Sequence, residues 1–171
     1  MREVRLNLLC NISALSAFVL VMGCSGPNVP SDASIIRGFT GHRADFEKLL
    51  EMYRHDGIDG RLDCEDSPDP NRREQPMAHR AEYVELFRRI GCDTVSLYDP
   101  DSGKAQFELW SYGLFLNAGQ AKSVMFIPNE VPHPLVTTTD HYRWTQQDHA
   151  DGHIQIYRHI EGPWYVEYDA D

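Results

Sequence analysis

The spacing of apolar residues changes period once along this chain, near residue 92, and that change limits the fold more than any other feature. Before it, Phe46, Leu49, Leu50 and Tyr53 recur at i, i+3, i+4 and i+7, and so do Tyr83, Leu86, Phe87 and Ile90. This is the stripe that one face of an α-helix presents. Thr40 as a cap and Gly57 as a stop predict a first helix over residues 42–56. Pro76, harmless in a first turn, and Gly91 predict a second helix ending at residue 90. Residues 57–75 between them are rich in charge, proline and glycine and read as a loop. After residue 92 the period becomes two. Val95 and Leu97 share one side of a strand over 93–98, and residues 99–103 are a turn by composition. Ala105, Phe107 and Leu109 then alternate with Gln106, Glu108 and Trp110. Residues 124–127 form a continuous apolar run, suited to a central strand covered on both faces. Pro128, Pro132 and Pro134 interrupt regular pairing. Two strands close the chain: Ile154, Ile156 and Ile160 alternate with polar residues, Glu161-Gly162-Pro163 turns, and Trp164, Val166 and Tyr168 alternate in return. Helices followed by strands predict an α+β domain, an N-terminal helical hairpin packed on an antiparallel β-meander of about five strands.

The first 24 residues follow neither period. Arg2 and Arg5 precede an apolar run over residues 12–22, too short for the ~20 residues that a membrane-spanning helix needs. Its length and flanks are those of a cleaved export signal. Gly23 stands at its end, followed at once by Cys24. This order of apolar run, small residue and cysteine resembles the bacterial lipoprotein signal. The resemblance implies that the Cys24 thiol is lipidated and the signal cut just before it. The expected organisation is then a signal over 1–23, a lipidated cysteine and flexible tether over 24–40, and a single domain over 41–171. Ser25 and Gly26 follow the cysteine where an aspartate would favour the inner membrane. By the same resemblance, this implies anchorage in the outer membrane, facing the periplasm. Multiple acyl chains make such an attachment lasting, where a single chain would not.

The formal net charge is −10, and loss of the signal, with two arginines and one glutamate, makes the balance more acidic still. That charge argues against nucleic acid as a ligand; it fits a basic protein partner, or simply solubility. Cys10 leaves with the signal and Cys24 is used by lipid, so Cys64 and Cys92 remain. An even pair in an exported protein predicts a disulfide, worth roughly 3.5 kcal/mol in the chain-entropy model. Two buried thiols or half a metal site are the rival readings.

Of eight histidines, the densest cluster is Asp148-His149-Ala150-Asp151-Gly152-His153, with His141 upstream and His159 downstream. Zinc requires three or four ligands converging within about 2.3 Å. His149 and His153 would converge on a helical turn, but Gly152 and the strand after it oppose a helix there. On that strand, His153 and His159 would lie about 20 Å apart. No metal, cofactor or catalytic residue is assigned, with His149 and His153 as the weak metal candidates. Asp99, Asp101 and Gly103 open like a calcium loop, but Trp110 stands where the closing glutamate belongs. Nucleophile elbows, zinc-protease helices and Ser-to-Lys pairs are lacking, which favours binding over catalysis. Aromatic residues sharing a strand face with acidic ones have the composition of interface hot spots. Trp110, Tyr112, Tyr165 and Glu167 are the expected partner contacts.

The segment Tyr157-Arg158-His159-Ile160-Glu161-Gly162-Pro163-Trp164-Tyr165 resembles the closing hairpin of many small proteobacterial lipoproteins. Gly91-Cys92 entering a strand with Val95 and Tyr98 is similar to those proteins too. Some small periplasmic lipoproteins are immunity proteins, so the resemblance implies a lipid-anchored, non-enzymatic protein that binds another, with a secreted toxic effector as the specific form. The other readings are a periplasmic hydrolase or metal-binding enzyme using residues 141–153, and a structural component of the cell envelope.

Overall fold

Ser31 caps the first helix. Its Oγ accepts a hydrogen bond from Ser34 N at 3.2 Å, and its carbonyl receives Ser34 N and Ile35 N. The computed structural model describes residues 28–58, 60–63, 79–99, 102–114, 118–141 and 153–170. It is an α+β fold, with two helices against a six-stranded antiparallel sheet. In chain order the elements are α1 (Asp32–His55), β1 (Arg61–Asp63), α2 (Arg80–Ile90), β2 (Thr94–Asp99), β3 (Lys104–Leu114), β4 (Ala118–Phe126), β5 (Ile154–Glu161) and β6 (Trp164–Ala170).

The first helix starts ten residues before its expected position, so the second half of the expected tether belongs to the domain. Ile35 and Phe39 continue the stripe of Phe46, Leu49, Leu50 and Tyr53 toward the N-terminus, and all six are buried. Thr40 does not cap; its hydroxyl donates to Ile36 O inside the helix, at 2.8 Å. The backbone leaves helical geometry at His42 (φ −125°, ψ 20°). Two glycines near it, Gly38 and Gly41, weaken helix propensity at the bend. At the far end the chain passes into the left-handed region at Gly57 (φ 59°), as a helix stop requires. Gly91 (φ 64°) ends α2 in the same way. Residues 64–78, where the second helix was expected to begin, lie outside the described residues.

The strand order is β1-β2-β3-β4-β6-β5, so the meander breaks once: the last strand inserts between β4 and β5. β1 lies within the stretch expected to be a loop, and β4 begins six residues before the apolar run that marked it. Asp63 pairs with Thr94. That brings the end of β1 to within two residues of Cys92, which is buried with its Sγ 2.9 Å from Thr94 O. Cys64, the expected disulfide partner, lies outside the described residues. Beyond β5, Val136 N donates to Tyr157 O and Tyr157 N to Pro134 O, so residues 134–136 line that edge of the sheet.

Both helices cover one face. Val95, Phe107, Val124, Val166 and Trp164 meet Ile35, Phe39, Phe46, Leu49, Tyr83, Leu86 and Phe87 there. Trp164 is the hub, with ring centroids 5.0 Å from Phe39, 4.9 Å from Phe126 and 5.8 Å from Phe107. Arg89 pairs with Asp45 at 2.7 Å across the two helices.

Candidate functional site

Alternation puts Lys122 on the helix face of β4, where an ammonium must find partners or exclude itself from the core. It is 1% exposed, and its three protons meet three oxygens. Pro30 O lies at 3.0 Å, Asp32 Oδ1 at 2.9 Å and Asp140 Oδ1 at 2.8 Å. Asp32, fully buried at the start of α1, also accepts from Thr138 Oγ1, the Thr139 amide and hydroxyl, and Arg158 Nη1. Asp140 accepts the Asp32 amide at 2.7 Å. Burial alone would raise the Asp32 carboxyl, but the Thr139 and Lys122 hydrogen bonds outweigh it and hold that group well below the usual carboxylate range. Two cations and two anions balance, and every Lys122 donor is engaged. This is a clasp that fastens the head of α1 to β4, β5 and the segment 138–140. It has no valence left for a substrate.

The sheet face away from the helices carries a second buried polar group. Glu167, on β6, has no exposure. Gln106 Nε2 donates to its Oε2 at 2.7 Å and Gln155 Nε2 to its Oε1 at 2.9 Å. Burial, reinforced by the charge of Asp169, pushes its carboxyl up to about 7. Its cross-strand neighbour Ser123 is buried with a hydroxyl that has no hydrogen-bond partner. Among the described residues, no base accepts the Ser123 proton as nucleophile activation would require.

The four expected partner contacts divide. Tyr165 is 4% exposed, in a cluster with Met125, Ile127 and Tyr157, and Glu167 is wholly buried. Both lie too deep for a partner to touch, because strand alternation tells which face a residue takes and not whether that face is covered. Tyr112 is 46% exposed and Trp110 partly so. A register shift between Glu108 and Trp110 turns them, so that Trp110 pairs with Lys122 and Tyr112 with Gln120. Of the metal candidates, His149 lies outside the described residues, while His153 is exposed with Nε2 3.1 Å from Asp169 Oδ1. Among the described residues, no three His, Cys, Asp or Glu side chains group as metal ligands.

At the opposite pole from the clasp, the second half of α1 crosses the ends of β4 and β6 and leaves a groove of about 640 Å³. Leu50, Phe126, Pro163 and Trp164 floor it, and Arg43, Glu47, Glu51, Arg54 and His55 rim it. Arg54 stacks on the Phe126 ring at 5.0 Å and donates to Gly103 O at 2.8 Å. Arg43 is held between Glu47 (2.8 Å) and Glu161 (2.7 Å). Glu51 is exposed and makes no ion pair among the described residues. Neither the groove nor the clasp could be read from sequence, since their members lie up to 126 positions apart.

The architecture defines a class, a two-helix layer on a six-stranded antiparallel sheet, whose buried polar clusters are structural and whose accessible features are a groove and an aromatic hairpin end. No family model, curated protein or solved structure matches the chain.

Proposed function

We propose that this chain is a lipid-tethered, non-enzymatic binding protein of the outer membrane. In this reading it holds a basic segment of a second protein in the groove at the pole remote from its anchor. One observation carries the reading: the groove joins an apolar floor to a rim in which Arg43 is paired with Glu47 and Glu161, the Arg54 head is turned to Gly103 O and the Phe126 ring, and Glu51 is exposed without an ion pair among the described residues. The overall negative charge would speed the encounter, an effect that salt weakens. A toxic effector neutralised at the membrane is the specific form that the lipoprotein resemblance suggests.

The test is capture from periplasmic extract by the mature chain, alongside a Glu51→Lys variant. A partner retained by the native groove at low salt, weakened at high salt and lost with the variant supports the reading. Equal retention by both chains overturns it.

A further inference from the structure

The clasp fixes where the tether enters. Lys122 holds Pro30 O at 3.0 Å, and Pro30 lies only six positions beyond Cys24. At full extension that span reaches about 20 Å. Once Cys24 is in a bilayer, the pole bearing Lys122 is therefore kept within that distance of the headgroups.

The β3–β4 hairpin overhangs the same pole. Pairing of β3 with β2 ends at Glu108 and pairing of β4 with β6 ends at Gln120, while β3 and β4 continue together to Leu114 and Ala118. Trp110 stands opposite Lys122 in register, about 5 Å away across the ladder. Tyr112 is two residues further out and 46% exposed. The stretch is also free of charge, unlike the helices and the other strands. Residues 109–121 include no Asp, Glu, Lys, Arg or His, in a chain that is 25% charged. An overhanging, uncharged hairpin with a Trp and a Tyr at its root matches what bilayer interfaces accept, an aromatic body with a polar tip.

We infer that this end of the β3–β4 hairpin rests in the headgroup layer beside the anchor, with Tyr112 and Trp110 as its lipid contacts. The inference rests on the tethered reading of Cys24. Tethering makes the contact intramolecular, so an affinity far too weak to recruit a free chain is enough to orient an anchored one. The hairpin thus sets which way the domain faces and turns the distal groove toward the periplasm.

The experiment compares the acylated chain in plain vesicles with the same chain in vesicles of lipids brominated in the upper acyl region. Subtracting a Trp110→Phe variant isolates Trp110 from the other two tryptophans. Quenching of Trp110 that is lost in Tyr112→Glu, with circular dichroism unchanged, is the expected result. Unquenched Trp110 in a chain whose acylation is verified by mass spectrometry overturns the inference. A chain whose Cys24 is replaced by a histidine tag on nickel-chelating lipid separates the two assumptions. If Cys24 is not acylated, the anchoring reading fails by itself, and quenching of the tag-held chain still reports whether the hairpin seeks lipid.

Discussion

Two buried carboxyl groups among the described residues are handled in opposite ways, and each way makes a prediction. The Glu167 carboxyl is pushed up to about 7 from an ordinary value near 4.5. Its native form therefore keeps a proton that the unfolded chain gives up between those values. Stability from this site is full below pH 4.5 and is lost as pH rises through 7. Glu167→Gln should thus raise stability at pH 8 by up to about 3 kcal/mol and leave it nearly unchanged at pH 4. Urea midpoints at the two pH values measure the difference, and a uniform shift would exclude the burial account. Asp32 is the reverse case, held low by its donors, and the stability it supplies fades only as strong acid protonates it. Lys122→Met would leave the buried Asp32 with Arg158 as its remaining cation and would strip the more exposed Asp140 of its ion pair with Lys122. Loss of one partner from such a pair costs about 3–5 kcal/mol, enough to show as a large drop in urea midpoint at pH 7.

At the scale of elements, α1 gives the clearest measure of what sequence reveals. Its C-terminal half was legible because Phe46, Leu49, Leu50 and Tyr53 have no glycine among them. Its N-terminal half was not, because Gly38, Thr40 and Gly41 fall between Ile35, Phe39 and the rest, and the helix bends there at His42. Phe39→Ala should therefore destabilise by about 3–5 kcal/mol, where a flexible tether would leave the thermal midpoint unmoved. β4 was legible only over its apolar end, since the inward Lys122 breaks the pattern that marks a buried strand. β1 is three residues long and sits among charges, so it had no period to show. The alternation in β5 and β6 correctly sorted residues into two faces, whereas in β3 the register shift after Glu108 moved Trp110 to the face it was not expected on, opposite Lys122. The depth of Tyr165 and Glu167 was invisible, because cover is a property of what packs on a strand. The groove and the clasp escaped for a related reason: each assembles residues that only the tertiary fold makes neighbours.

At the scale of the whole molecule, the notable features fall at two poles. The clasp and the end of the β3–β4 hairpin lie together, and the groove lies at the other extreme. The sheet between them ends on one side in the three-residue β1, flanked by Arg61 and Asp63, and on the other in β5, whose outer backbone is engaged by residues 134–136. Among the described residues these two margins are short, charged or covered, while β3, which runs past its pairing with β2 at Glu108 to Leu114, keeps an open outer edge there. Under the proposed anchoring, that matters more than in free solution. Confinement to a plane concentrates neighbours and aligns them side by side, the arrangement in which open strands would zip into fibrils. For a chain so anchored, the short and covered margins would oppose such zipping, and the overhanging edge of β3 is where it would have to begin.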